Sequence, residues 1–248
     1  NHKPDPAKPQ HRAYGALHKT KASNRLFKAL LQLISRFSAA RLLQKRKPYK
    51  PKKYHTPKLM GEKMQLDVKY VPRECNANMW DDNRYYQFTI IDEASRERFI
   101  YAYKDHSSFT AVDFLYRAVC YFGYIPRIIQ TDNGQEFAYF QETDRIHPFD
   151  LACEKLGIIH KTIKPRTPRH NGKVERSHRS DNERFYKHLR FYDYEDLQEQ
   201  MKRYLCRSNN IGMTPLNYRT PVEMREYLIS RGMTDYLEPF DKKTGLIL

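Results

Sequence analysis

The chain has 248 residues, of which 40% are hydrophobic and only nine are glycine, so a collagen-like, low-complexity or wholly disordered chain is excluded. No apolar run reaches the ~18 residues that a membrane span needs. The four cysteines lie far apart and include no Cys-x-x-Cys pair, which argues against a disulfide framework or a zinc knuckle. We therefore expect a globular, cytoplasmic protein that folds under reducing conditions and does not associate with a membrane.

The net charge of +16 is concentrated at one end of the chain. Residues 1–62 contain 16 Lys and Arg against two acids, a balance of +14, so the remaining residues sum to only +2. A basic arm beside a nearly neutral body favours a polyanionic partner, because bound phosphates release their counterions. Nucleic acid is the leading candidate. An anionic membrane surface is the alternative, but the apolar insertion or lipidation that would accompany it is not evident.

Two segments follow each other in the basic arm. The spacing of Leu26, Leu30, Leu33 and Phe37 predicts a helix over residues 23–44. Its apolar stripe is explained either by packing on its own domain or by a contact with a second subunit. The Pro- and Lys-rich residues 45–58 predict an extended linker, either a solvated tail or a DNA contact. The predicted DNA-binding residues there are Lys45, Arg46, Lys47, Lys50, Lys52 and Lys53.

From residue 63 the pattern changes to alternating strands and helices. Strands are predicted over residues 63–71, 84–91, 98–103, 126–130 and 158–163, and helices over residues 107–123, 148–156 and 172–189. Their order, βββαβαβα, predicts an α/β fold with a mixed sheet and flanking helices. In such a fold we expect the first and fourth strands to be neighbours.

Three acids occupy unusual places in this pattern. Asp67 lies in the middle of the first strand, Asp132 ends the fourth strand, and Glu175 lies in the first turns of the last helix. Each alone has an ordinary explanation: an edge strand, a turn, or a helix dipole. Together they converge at one end of the sheet, where carboxylates repel one another unless a cation lies between them. Oxygen ligands favour Mg²⁺ or Mn²⁺, and two such ions catalyse phosphodiester displacement.

Four stretches of the chain carry a family resemblance: MQLDVKYV, YYQFTIIDEASR, IIQTDNGQEF and KPRTPRHNGKVERSHR. In order and type they resemble the catalytic core of insertion-sequence transposases related to retroviral integrases, over about residues 60–225. The resemblance implies a ribonuclease-H-like fold and an Asp-Asp-Glu triad that falls on Asp67, Asp132 and Glu175. Two departures are the 42 residues between Asp132 and Glu175, more than in retroviral integrases, and Ile211-Gly212-Met213 in place of the usual Arg-Pro-His.

Other residues near the triad are candidates for the third acid or for contacts with DNA. Glu136, Glu142 and Asp144 compete for the third position, but Glu175 shares a helical face with Asn171, His178, Arg179 and Asn182 that is suited to a phosphate backbone. His178 has either a role in proton handling or DNA contact, or is a plain surface histidine. The predicted DNA-binding residues of this region are Lys164, Arg166, Arg169, His170, Asn171, Lys173, Arg176 and Arg179.

The sequence therefore predicts a basic arm over residues 1–62, an integrase-like catalytic core over residues 63–209 and a C-terminal extension over residues 210–248. The expected activity is that of a DNA transposase, of bacterial origin, which cleaves at transposon ends and transfers the strand into target DNA with two Mg²⁺ or Mn²⁺ ions. Its expected partners are double-stranded DNA and further copies of itself, as a dimer or tetramer. The alternatives are a non-catalytic DNA-binding protein on the same scaffold and a nuclease that only hydrolyses.

Overall fold

The computed structural model describes residues 25–35, 56–139, 145–163 and 171–237. Contacts divide the chain into two units, Asn1–Lys53 and Tyr54–Leu248. In the first unit, residues 25–35 form helix α1, within the range predicted for a helix. Its apolar side chains are exposed, among them Leu26 at 68% and Phe27 at 65%. The rest of that predicted helix, and the linker up to residue 55, lie outside the described residues.

The second unit contains a five-stranded mixed sheet. Its strands and a separate strand pair are β1 (Met64–Tyr70), β2 (Tyr86–Asp92), β3 (Arg98–Tyr103), β4 (Ile125–Pro126), β5 (Ile128–Thr131), β6 (Ile159–Thr162) and β7 (Tyr236–Leu237). The sheet order is β3-β2-β1-β5-β6, and β4 pairs with β7. Strand β1 is antiparallel to β2 and parallel to β5. The predicted α/β fold is confirmed. The expected pairing of the first strand with the strand directly before Asp132 is confirmed as the pairing of β1 with β5.

Helices cover both faces of the sheet. They are α2 (Ser108–Phe122), α3 (Pro148–Lys155), α4 (Gly172–Asp181), α5 (Tyr194–Asn209) and α6 (Pro221–Ser230). One apolar core packs α2 and α3 against residues such as Leu66 and Phe88. A second core packs α5 against Ile100 and Ala102 of β3. Strand β1 is therefore central and buried on both sides at its start, which explains why even Gln65 is only 1% exposed.

The ends of α2 form as the sequence predicts. The hydroxyl of Ser107 accepts a hydrogen bond from the backbone N–H of Thr110 at 3.3 Å, which satisfies one of the first helical N–H groups. The helix ends at Gly123, whose φ of +75° is a left-handed conformation that glycine adopts at little cost. Both residues lie where the sequence placed the start and the stop of this helix.

The predicted helix over residues 172–189 is shorter than expected. After α4 the chain continues as a π-helical turn, Asn182–Tyr186. The wider turn lets Asp181 and Tyr186 face the same side, where both side chains reach Gln87 of β2, at 2.9 and 2.5 Å. A regular α-helix places residues five apart on different sides of its axis, so this shared contact explains the change of helix type.

The turn between β2 and β3 is rich in polar residues and is nevertheless buried. Asp92 and Glu93 are 0% exposed and Glu97 is 2% exposed. Glu93 forms ion pairs with Lys63 and with Lys173 of α4, and Glu97 pairs with Arg225 of α6 at 2.9 Å. Buried carboxylates are tolerated when cations and hydrogen bonds surround them, so this turn joins three segments of the fold.

In the part of the chain that the structure describes, no helix is both long enough and apolar enough to cross a bilayer.

Candidate active site

Strands β1 and β5 are neighbours in the sheet, and they carry two carboxylates to the same level along their length. The parallel register pairs Gln65 with Gln130, and Asp67 and Asp132 each follow that pair by two residues. Because neighbouring parallel strands run side by side in the same direction, the two aspartates lie next to each other. The convergence that the sequence predicted for these two residues follows directly from the register.

The side chain of Asp67 is 18% exposed and lies among other acids. Burial is the largest cause that raises the pKa of Asp67, the carboxylates of Asp132, Glu175 and Glu136 also raise it, and a hydrogen bond from the backbone N–H of Val68 lowers it; the resulting pKa is about 7. Glu175 and Glu136 thus act on the charge of Asp67 together with Asp132. Asp67 therefore lies in a site that disfavours its negative charge unless a cation is nearby.

Asp132 is held by its own backbone neighbours and by a histidine. Its Oδ1 accepts a hydrogen bond from the N–H of Gly134 at 3.0 Å, and its backbone oxygen accepts one from the hydroxyl of Thr131 at 2.8 Å. That hydroxyl also contacts Nε2 of His160 at 2.8 Å, and Nδ1 of His160 lies 2.5 Å from Asp150. Sequence reasoning missed this support, because His160 is far from Asp132 along the chain and becomes its neighbour only through the pairing of β5 with β6.

Helix α4 is attached to β1 at its first turn. The side-chain oxygen of Gln65 accepts hydrogen bonds from the backbone N–H groups of Lys173 and Val174 at 3.0 and 3.1 Å. It thereby satisfies two of the N–H groups that a helix leaves without partners at its start. Val174 is fully buried and Glu175 follows it on the exposed side. Gln65 therefore fixes the position of Glu175 relative to Asp67, which lies two residues further along the same strand.

His178 lies against Asp67, with Nδ1 3.5 Å from Oδ2. Its side chain is only 13% exposed, so the interpretation of a plain surface histidine is wrong. Burial lowers the pKa of His178 to about 4, so the imidazole is neutral at pH 7 and this contact is not an ion pair. Its Nε2 is buried and has no hydrogen-bond partner among the described residues.

Lys69 is a second residue that sequence reasoning missed. Its Nζ donates to Oδ1 of Asn182 at 2.6 Å and to the backbone oxygen of His178 at 3.4 Å. The signal was its position two residues after Asp67, which puts both side chains on the same face of β1. Through these contacts Lys69 holds the end of α4 beside the carboxylates.

Most predicted DNA-binding residues lie outside the described residues: Lys45, Arg46, Lys47, Lys50, Lys52, Lys53, Lys164, Arg166, Arg169 and His170. Arg176 and Arg179 are exposed on α4. Asn171 is 2% exposed and accepts a hydrogen bond from Gln130 at 3.3 Å, and Lys173 pairs with Glu93. These side chains thus have partners within the protein, and DNA contact by Asn171 and Lys173 stays a prediction. The helical face expected to meet a phosphate backbone is thus directed partly into the protein.

Of the residues that compete with Glu175, the structure describes only Glu136. Burial raises the pKa of Glu136, and so does the carboxylate of Asp132, so Glu136 is a fourth acid near the pair. Glu142 and Asp144 lie outside the described residues. Glu175 is fixed through Gln65 and contributes more than Glu136 to raising the pKa of Asp67.

Comparison with known proteins agrees with this geometry. The integrase core domain family matches residues 57–168, a range that includes Asp67 and Asp132 but ends before Glu175. A chain of the simian T-cell lymphotropic virus intasome, in a cryo-EM structure with the PP2A regulatory subunit B56 gamma, has a TM-score of 0.51 at 20% identity. The alignment covers 68% of this chain and 56% of that one. The second unit of the chain thus resembles an integrase core domain over residues 57–168 and has a ribonuclease-H-like fold, and we call it the integrase-type core.

Two further proteins are similar to the integrase-type core. The candidate integrase ORF3 of Spiroplasma virus SpV1-C74 is 30% identical over 169 residues, which are 64% of this chain and 46% of that protein. The chain thus spans about half the length of that relative. The HTLV-2 integrase catalytic core in complex with magnesium is 19% identical, over 67% of this chain and 97% of that one, with a TM-score of 0.47.

The carboxylates of the integrase-type core suit a divalent cation chemically. Asp67, Asp132 and Glu175 offer hard oxygen donors of the kind that Mg²⁺ and Mn²⁺ prefer. A cation between them would also remove the repulsion that raises the pKa of Asp67. Across residues 25–35, 56–139, 145–163 and 171–237, no three acidic, histidine or cysteine side chains already stand at metal-binding distances. The fit therefore rests on the type of donor and on the charge, and binding would require these side chains to move closer together.

The raised pKa of Asp67 has a consequence for stability in the metal-free integrase-type core. The usual value is 3.8 and the folded value is about 7, so the folded state binds the proton more tightly and stability falls as the pH rises between these values. Asp67→Asn removes this cost, on the order of 2 to 4 kcal/mol. With a chelator present, we expect this variant to melt at a higher temperature than the wild type at pH 8, with a much smaller difference at pH 4.

The control is Asp82→Asn, at an exposed residue outside the site, which we expect to change the melting temperature little at either pH. Equal melting temperatures for Asp67→Asn and the wild type at pH 8 would contradict the predicted burial and crowding of this carboxylate.

Proposed function

We propose that this chain is a transposase or integrase of mobile DNA, which cleaves at the ends of an element and joins the freed 3′-hydroxyl to target DNA. The observation that carries the proposal is the position of Asp67, in the middle of β1, beside Asp132, directly after β5, with α4 and Glu175 alongside. The integrase-type core and the charge of +14 in residues 1–62 support DNA as the substrate.

Each residue of the proposed site has a defined task. Asp67 and Asp132 would hold one divalent ion, and Glu175 would complete a second site with Asp67. When bound, such ions activate the attacking oxygen and stabilise the leaving oxygen of a phosphodiester. The protein's own contribution is to fix the carboxylates: Gln65 holds α4, His160 and Thr131 hold the end of β5, and Lys69 holds α4 beside β1.

A multimer on paired DNA ends is part of the proposal. Joining both ends of an element to one target requires two active sites at a fixed separation, and one chain offers a single set of carboxylates. Helix α1 supports this, because its apolar side chains are exposed and a partner subunit would cover them.

The decisive experiment incubates the chain with labelled DNA ends, target DNA and Mg²⁺. We expect cleaved ends and joined products, formed by a dimer or tetramer in sedimentation of the protein on DNA ends. Cleavage without joining, even of ends that already carry a free 3′-hydroxyl, would identify the nuclease alternative. Binding without either reaction would favour the non-catalytic scaffold.

Removal of the arm tests its proposed contact with DNA. If about six of its cations meet phosphates, affinity falls by about 10³ or more between 50 and 200 mM salt. Deletion of residues 1–58, or replacement of the six basic residues between 45 and 53 by Gln, should flatten this dependence as measured by fluorescence anisotropy. The Gln variant keeps the chain length and is the control for the deletion. An unchanged slope in both would move the main contact to the loop of residues 164–173.

A further inference from the structure

A cavity of about 460 Å³ lies beside α4, and its lining includes none of Asp67, Asp132 and Glu175. Its walls are α4, the end of β2 with the turn that follows it, and the loop of residues 211–215 after α5. That loop contains Ile211, Gly212 and Met213, where the family usually has Arg-Pro-His. The departure from the family pattern therefore falls on a wall of this cavity.

Helix α4 presents different faces to the cavity and to the candidate active site. Gly172, Arg176 and Ser180 line the cavity at a spacing of four residues, which keeps side chains on one side of a helix. At about 100° per residue, His178 lies on the opposite side of α4, and Glu175 lies about a quarter of a turn from Arg176. Because a helix with its side chains is about 10–12 Å across, a group bound in the cavity is separate from one held by the carboxylates.

The cavity is strongly cationic. Three arginines and one lysine line it, and no acidic side chain is among the lining residues in the described part of the chain; the cations are Arg96, Lys173, Arg176 and Arg184. Lys173 is balanced by the buried Glu93, and the exposed Arg176 and Arg184 supply further positive charge. The hydroxyls of Ser177, Ser180 and Thr214 add hydrogen-bonding groups to the lining. Guanidinium groups and hydroxyls together are suited to a phosphate.

Arg96 has an unusual backbone conformation. Its φ is +64°, a left-handed value that is unfavourable for a residue with a Cβ. Its N–H donates to the backbone oxygen of Asp92 at 3.0 Å, inside the buried turn. The turn thus holds an arginine where glycine or asparagine would be less strained, and that arginine lines the cavity.

We propose that this cavity binds a backbone phosphate of the DNA substrate, other than the phosphate that reacts at the carboxylates. The inference rests on the proposed function, because the reacting phosphate serves as its reference point. Successive phosphates of one strand rise about 3.4 Å along the axis of B-DNA, so a helix diameter measured along that axis corresponds to about three or four nucleotides. Anchoring a second phosphate at this distance sets which phosphodiester lies between Asp67, Asp132 and Glu175.

The test uses the full chain with Arg176→Ala and Arg184→Ala combined, since both side chains are exposed and their loss should leave the fold intact. The matched control is Arg207→Ala, an exposed arginine on α5 outside the cavity. We expect the double variant to reduce the slope of log affinity against log salt by about 1 to 2, as for one or two lost phosphate contacts. The control should keep the wild-type slope.

Ethylation interference locates the bound phosphate. In the wild type, ethylation of one phosphate about three or four nucleotides from the reaction site should weaken binding, and this effect should disappear in the double variant. Cleavage by the double variant should also spread over neighbouring positions. An unchanged salt slope and interference pattern would overturn the inference.

Titration with inorganic phosphate tests whether the cavity binds a phosphate of DNA or only a small free anion. We expect weak binding of free phosphate, by NMR titration, together with the loss of the DNA contact in the double variant. Binding of free phosphate with an unchanged DNA contact would overturn the inference in favour of a site for small anions. These binding measurements need no catalysis. An inactive chain with the interference signal would contradict only the proposed function, whereas an active chain without it would contradict only this inference.

Discussion

Asp67→Asn, Asp132→Asn and Glu175→Gln should each abolish cleavage and strand joining in Mg²⁺ while leaving DNA affinity within a few-fold of the wild type. Each change keeps the shape of the side chain but removes the negative charge that a divalent cation needs. Loss of one group that stabilises charge in a transition state lowers the rate by about 10² to 10³ or more. Single-turnover assays on preformed protein–DNA complexes measure the reaction apart from binding.

Two exposed acids provide matched controls for these variants. Asp82→Asn lies in the loop before β2 and Glu183→Gln in the turn after α4, and both should keep wild-type rates. Near-normal joining by any one of the three active-site variants would remove that residue from the triad. If that residue were Glu175, Glu136 would be the next to test, because it lies near Asp67 and Asp132.

Asp181→Ala should be the most destabilising single substitution among the polar residues of the core. Asp181 is 0% exposed. Its carboxylate forms an ion pair with Arg98 at 2.7 Å and accepts hydrogen bonds from Tyr204 and Gln87, each at 2.9 Å. Removing it leaves a buried guanidinium without its counter-charge, which lowers the free energy of unfolding by about 3–5 kcal/mol. Urea denaturation followed by circular dichroism measures this loss.

An exposed ion pair is the control for the stability lost in Asp181→Ala. Glu199 and Arg203 interact across one turn of α5 with half or more of each side chain exposed, so Glu199→Ala should change stability by less than about 1 kcal/mol. Arg98→Met combined with Asp181→Leu should recover part of the stability lost in Asp181→Ala, because no unpaired charge remains. Equal effects of Asp181→Ala and Glu199→Ala would show that the buried pair contributes no more than the exposed one.

The sequence was sufficient to predict the parts of the fold that follow from local patterns. Alternation around Asp67 predicted β1, and Ser107 and Gly123 marked the ends of α2. The order of strands and helices then predicted that β1 and β5 are neighbours, because few arrangements of a mixed α/β sheet satisfy that order. The position of Asp67 beside Asp132 was therefore accessible from the sequence.

Contacts between residues distant in the chain were not accessible in the same way. Gln65 accepting hydrogen bonds from the start of α4, and His160 supporting Thr131, depend on which side chains meet after folding. The burial of His178 depends on the docking of α4 against β1, which helical periodicity alone does not fix. For the same reason, Lys173 was predicted to contact DNA, although in the structure it pairs with Glu93.

The buried turn between β2 and β3 depends on a contact with α6, which comes much later in the chain. Arg225 of α6 pairs with Glu97, Leu228 belongs to the same core as Leu66, and β7 is the partner of β4. A chain cut after residue 209 would leave the carboxylate of Glu97 without that guanidinium, and β4 without its paired strand. Residues 210–237 therefore fold together with the sheet. We expect a break or an insertion of the chain within them to destabilise the protein.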